Sequence, residues 1–230
     1  MKLTIIGTSH ISPESLKHVE ETIREKKPTI IAVELDKKRL AALLQKKYNP
    51  HTKNFSLKDI KRIGLKGWLF AQIGSWVEKK LGNKVGVSPG TEMLKAIEIA
   101  QQTGAKIALI DQDIEITLKK FSNALSWKEK WTFAKDLING LIFKKGIKFD
   151  LAKVPSHKII NKLIKEVKTK YPNVYCVLIK ERNEVMAKKL AHILLNHPDA
   201  EIVAVVGAGH EKEINLLVKK IYKEHNIQPL

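Results

Sequence analysis

Residues 201–217 read Glu-Ile-Val-Ala-Val-Val-Gly-Ala-Gly-His-Glu-Lys-Glu-Ile-Asn-Leu-Leu, and the order of these residues decides the fold. Glu201 to Val206 is a continuous apolar run with no polar alternation, the pattern of a strand covered on both faces, as parallel strands are. Gly207-Ala208-Gly209-His210 terminates it, and a helix is predicted from about Glu211 to Glu224. The same unit recurs upstream. Lys2 to Ile6 is an apolar run that stops at Gly7, and Ser12-Pro13-Glu14 supplies an N-cap, a proline at the first helical position and an acid in the first turn. That helix should end before Pro28. Thr29 to Val33 reads as a second buried strand, and Asp36 caps the helix after it. Thr91 to Thr103 has helical periodicity, Gly104 closes it, Lys106 to Ile110 is a further β run, and Asp111 stands at its end. Repeated β-then-α order implies an α/β fold: a mainly parallel sheet with right-handed crossovers and helices on both faces.

A chain of 230 residues is long enough for one substantial core, so a single domain over 1–230 is expected. Two stretches break the rhythm. Residues 51–90, rich in Lys, Gly and Trp, and residues 119–170, with fourteen lysines against four acids, are expected to be helical insertions covering one edge of the sheet. Trp68, Trp76, Trp127 and Trp131 are assigned to the core of those insertions. Tyr171 to Leu195 mixes strand and helix propensities and is read as one helix. On it Val174, Leu178, Arg182 and Val185 form a stripe, so Arg182 needs an anionic partner.

The formal charge of +18 and pI near 9.8 favour contact with anionic groups. That charge is mostly lysine. Arg24, Arg39, Arg62 and Arg182 alone carry the planar fork that reads bases and phosphates bidentately, so nucleic acid is not an expected partner. The single cysteine, Cys176, excludes an intramolecular disulfide and a cysteine-caged metal, and fits a reducing compartment. Without a recognisable signal peptide, the cytoplasm is the expected location. No apolar run reaches the ~20 residues of a spanning helix. The apolar stretch Gly67 to Val77 is assigned first to packing; a membrane surface, a cover over the cleft and a second copy of the chain in a homo-oligomer are its other readings.

In a parallel sheet the β-to-α loops gather at the carboxyl ends of the strands, where ligands bind. Four strands send His10, Glu34, Asp111 and His210 to that edge. Two imidazoles and a carboxylate suit a divalent metal such as Zn, Mn or Co with an open position for water, which would acidify that water for hydrolysis. Gly7, Gly207 and Gly209 fit tight turns after strands, and Thr8 and Ser9 are placed to bond a substrate or hold the loop. The plainer readings make Glu34 a solvated strand end, Asp111 a helix cap and each histidine a loop anchor. Strand adjacency decides between the two sets. The remaining histidines read as surface.

These residues resemble the TraB-domain family, which includes the PrgY pheromone-shutdown proteins and the Tiki metalloproteases. The signature is a pair of Gly-x-x-His motifs, here Gly7-Thr8-Ser9-His10 and Gly207-Ala208-Gly209-His210. Between them stand Val33-Glu34-Leu35-Asp36 with Arg39, Pro89-Gly90-Thr91-Glu92-Met93, Asp111-Gln112-Asp113, and Glu181-Arg182-Asn183 with Met186-Ala187. Gln112 and Asn183 depart from the family, which often has arginine and aspartate there. The resemblance implies an EreA/ChaN-like arrangement. It also implies a peptidase-like site in which His10, His210 and Glu34 hold metal and Glu34, Glu92 and Arg182 do catalytic work. Arg39, Asp111 and Asn183 then join Thr8 and Ser9 on the substrate side. The leading expectation is therefore a metal-dependent hydrolase acting on a peptide. The alternatives are a non-catalytic protein sequestering a peptide, a small molecule or haem in the same cleft, and nucleic-acid binding through the lysines of 119–170.

Overall fold

The computed structural model describes residues 2–9, 13–48, 90–138 and 157–227. The apolar runs form four strands, β1 (Leu3–Thr8), β2 (Ile30–Val33), β3 (Lys106–Leu109) and β4 (Ile202–Gly207). They lie in the order β1-β4-β2-β3 with every pairing parallel. The last strand is thus internal, between the first and the second. All six of its residues are buried, which is why its sequence carries no polar alternation.

The helices are α1 (Pro13–Lys26), α2 (Lys37–Tyr48), α3 (Thr91–Thr103), α4 (Ile114–Ala124), α5 (Trp127–Ile138), α6 (His157–Lys170), α7 (Pro172–Tyr175), α8 (Glu181–Asn196) and α9 (Glu211–Ile227). Side chains alternate across the sheet. Ile6, Ile31, Val33, Val203 and Val205 point to one face, where Val19 and Ile23 of α1 and Met93, Ala96 and Ala100 of α3 cover them. Ile30, Ala32, Ile202, Ala204 and Val206 point to the other, against Met186, Leu190 and Leu194 of α8 and Ile214 and Val218 of α9. Each fully covered Val, Leu or Ile contributes ~1.5–3 kcal/mol, so the sandwich of helix, sheet and helix carries the stability. Ala32 and Ala204, neighbours in register, match the small Ala187 and Ala191 of α8 on the same face.

Local signals act where they were read. Asp36 accepts from the amides of Lys38 (2.7 Å) and Arg39 (3.1 Å), capping α2. Gly104 closes α3 at φ 75°, a left-handed conformation that a β-carbon would strain. Gly7 has a different reason from the one expected: its φ is not positive, but a β-carbon there would run into the Glu211 carboxylate and crowd the Ala208 backbone at 3.1 Å.

Two expectations need correction. Residues 172–196 are helical throughout, but Cys176–Lys180 forms a π turn in which the Glu181 amide donates to the Cys176 carbonyl. The extra residue takes the helix out of α phase. The expected stripe is therefore only half-buried: Val177 turns inward against Phe121 and Leu125 of the α4 region, and Asn183, Met186 and Ala187 are the covered residues after the turn. Trp127 and Trp131 are not core but 76% and 73% exposed. Glu129 sits between them and is buried, so residues two positions either side lie roughly opposite on a helix of ~3.6 residues per turn. Trp68 and Trp76, residues 51–89 of the first insertion and residues 139–156 of the second lie outside the described residues.

Candidate functional site

Parallel pairing places the ends of β1, β2 and β4 side by side. Thr8 is in register with Gly207, and Val33 with Val205. The loops are stitched at that edge: Ala208 donates its amide to the Thr8 carbonyl (2.8 Å), the Thr8 hydroxyl donates to the Val206 carbonyl (3.2 Å), and the Ser9 amide donates to the Ser15 hydroxyl (2.9 Å). Thr8 and Ser9 thus hold the loop. The loops that carry the two Gly-x-x-His motifs leave adjacent strands at one edge. His210 is described; His10 lies outside the described residues.

Glu34 follows β2 and is buried, because the chain enters the sheet edge rather than solvent. One carboxylate oxygen accepts from the Gly207 amide at 2.6 Å and the other from Arg182 Nη2. His210 Nε2 stands 3.6 Å from the oxygen that Arg182 holds. Behind the ring, Nδ1 is 2.6 Å from Asn183 Oδ1, while the Asn183 amide nitrogen donates to Glu213 at 2.8 Å. Glu213 can only accept, so Asn183 offers its oxygen to the ring, and Nδ1 carries the proton. The lone pair then lies on Nε2, consistent with the donor Arg182 Nη1 at 3.4 Å. Asn183, fully covered, acts on the cleft through His210. Glu213, one turn beyond His210 on α9, is a site residue that sequence reading missed.

Arg182 meets the anionic partners its position demanded. Nε and Nη2 grip Asp111 at 3.0 and 2.7 Å, Nη2 also bonds Glu34, and Nη1 donates to the Leu178 carbonyl in the π turn at 3.1 Å. Burial alone would lower the pKa of this guanidinium, but the two carboxylates outweigh it and raise the value. Asp111 is no helix cap; that task falls to Asp113, which accepts from the Glu115 amide at 2.7 Å. Asp111 Oδ2 also accepts from Arg39 Nη1 (2.7 Å), Oδ1 from the Gln112 amide (2.7 Å), and its carbonyl from Lys189 (2.6 Å). Lys189 is the second residue that sequence reading missed, hidden because a lysine among many carries no signal. Glu92 is buried in the first turn of α3.

A model of the TraB/PrgY/gumN family matches residues 1–224. The chain belongs to that family. The chain is similar to the uncharacterized protein MJ1365 of Methanocaldococcus jannaschii, 37% identical over 229 residues, 97% of this chain and 55% of the relative. The TraB domain-containing proteins of Mus musculus and Homo sapiens are each 26% identical over 231 residues, covering 91% of this chain and 60% of theirs. The chain therefore spans little more than half the length of these relatives. Among the described residues no helix is long and apolar enough to cross a membrane.

Whether a metal fits is a question about donors. Among the described residues no group of three His, Cys, Asp or Glu is arranged to hold a metal ion. Two donors stand together. Ligand bonds of ~2.1 Å at a tetrahedral angle put neighbouring donors about 3.4 Å apart, and His210 Nε2 and Glu34 Oε1 are 3.6 Å apart. The bonded Nδ1 is the support that metal-binding imidazoles generally have. Arg182 reaches for the same two atoms, Nη1 toward Nε2 at 3.4 Å and Nη2 onto Glu34 Oε1, so a cation between them would have to compete with both contacts.

Proposed function

We propose that this TraB-family chain is a metal-dependent hydrolase with peptide-like substrates, its reaction centred on His210 and Glu34 at the carboxyl edge of the sheet. One arrangement carries the reading: an imidazole whose Nε2 lone pair faces a buried carboxylate at metal-ligand separation, with Nδ1 secured by Asn183. A divalent ion held there, with His10 as third ligand, would supply Lewis acidity and a water acidified to a pKa of ~7. The chain's own groups do the rest. Asn183 holds the proton at His210 Nδ1, Arg182 and the Gly207 amide fix the Glu34 carboxylate, and Glu92 is assigned to proton transfer at the entrance to α3. The lone cysteine supports a reducing compartment, the cytoplasm, as the setting for this reading.

The test is elemental analysis of the chain titrated with Zn, Mn and Co, followed by mass spectrometry of a peptide pool incubated with the loaded protein. Wild type should bind one ion tightly and cleave; His210→Ala and His10→Ala should do neither. If no ion binds, the mechanism fails. If ligands bind and weaken in His210→Ala while no product forms, the cleft sequesters rather than cleaves. Visible absorbance after haem addition reads the haem form of that outcome.

A further inference from the structure

The cations around Asp111 differ in how many of their donors are used. A guanidinium has five N–H bonds. Arg182 is saturated: its contacts are Asp111 Oδ1, Asp111 Oδ2, Glu34, the Leu178 carbonyl and His210 Nε2. It has nothing left for a substrate. Asp111 is saturated too, with two donors on each carboxylate oxygen. Lys38 is engaged by Asp113 (3.0 Å) and Glu115 (2.9 Å), and Lys189 by the Asp111 carbonyl. Arg39 is the exception among these described cations. It spends only Nη1, at 2.7 Å on Asp111 Oδ2, and its side chain stays 34% exposed.

The unspent Nε and Nη2 form the side-on edge of the fork. Arg182 uses that same edge to take both oxygens of Asp111. On Arg39 no hydrogen bond or ion pair among the described residues takes that edge, which lies one shared carboxylate oxygen away from Arg182 and hence close to His210 and Glu34. The mount is stiff. Asp36 caps the first turn of α2 through the amide of Arg39 itself, and Asp111 is pinned from several directions. Within this ion-paired group the two carboxylates of Glu34 and Asp111 are matched by the two guanidiniums of Arg182 and Arg39.

We propose that Arg39 is the subsite for a carboxylate of the substrate, such as a peptide's free C-terminus, gripped bidentately through Nε and Nη2. The fork can take two oxygens of either anion, but a single fork meets both oxygens and the one charge of a carboxylate while leaving the third oxygen and further charge of a phosphate unmet. The proposal rests on His210 and Glu34 as the reaction centre, and it makes the cleft select substrates with an acid group near the bond to be cut.

Calorimetric titration of the full, metal-supplemented chain with N-acetyl-dialanine, its C-terminal amide and inorganic phosphate tests this without requiring turnover. The free acid should bind about tenfold more tightly than the amide, one charge-assisted pair's worth. Arg39→Gln should abolish that preference, and Arg39→Lys should keep part of it, with thermal unfolding confirming that both variants fold. Equal affinity for acid and amide, no binding of either, or a preference surviving in Arg39→Gln overturns the subsite; phosphate binding more tightly than the acid overturns its carboxylate character. Should the chain take up no metal and cleave nothing, the acid-versus-amide comparison still reads Arg39 separately.

Discussion

Asn183 has no contact with the cleft surface, yet it sets the protonation of the ring that faces it. Asn183→Leu leaves Nδ1 without an acceptor and Glu213 without its donor; metal affinity should fall ~10–100-fold, the usual effect of losing such support. Glu213→Gln preserves a carbonyl for the Asn183 amide, so its loss should be smaller in the same titration. Equal losses in both would remove the proposed division of labour. Arg182 makes a stronger demand. Replacing it with methionine leaves Glu34 and Asp111 charged, buried and deprived of a shared cation, and should cost about 3–5 kcal/mol in urea unfolding. Arg182→Lys should recover little, because one ammonium cannot span two carboxylates with the fork's geometry. The need for an anion beside Arg182 was legible in sequence from its apolar neighbours. Its two partners were legible only as residues at strand ends, since which strands are neighbours is not written locally. Glu213 was hidden because an acid in the first turn of a helix is ordinary.

At the scale of an element, α5 shows how one side chain orients a helix. Glu129 accepts from the Ser126 amide (3.0 Å) and hydroxyl (2.9 Å), and Ser126 Oγ accepts in return from the Glu129 amide (3.2 Å). The same carboxylate takes the Asn173 amide and side chain, both at 2.8 Å, tying α5 to the start of α7. Burial would raise the pKa of Glu129, but the bonds from Asn173 and Ser126 prevail and lower it from 4.5. The sign follows: a depressed carboxyl stabilises above its unfolded value, and that contribution is lost as pH falls through the folded value. Wild type should therefore lose part of its thermal stability below about pH 4.5 that Glu129→Gln, less stable by ~1 kcal/mol at neutral pH, no longer has to lose. Parallel curves for the two proteins would contradict this. Ser126-Trp-Lys-Glu129 is a legible capping pattern; read as one, it would have turned Trp127 and Trp131 outward. The π turn was not legible, because one extra residue in a helix leaves composition and propensity unchanged.

For the molecule as a whole, the strand-loop-helix rhythm was enough to read a parallel sheet with helices on both faces. The strand order was not, since each run says that it is buried but not beside what. Val205 pairs with β1 and β2 at once and lies against α1 and α3. Val205→Ala should cost about 2 kcal/mol or more, and should lower the midpoint of a single cooperative urea transition rather than loosen one edge. A separate early transition would show that the sheet is not one unit. The internal position of β4 also sets a timetable. On the ribosome, residues 3–8 and 30–33 emerge long before residues 202–207, the segment that must come between them. Until then β2 can pair with β3 along its outer edge, but its inner edge has only β1 to meet, in a pairing the native sheet forbids. Closure of this sheet is thus deferred until residues 202–207 have been made, and the nascent chain meanwhile carries a vacant slot that chaperones have reason to guard.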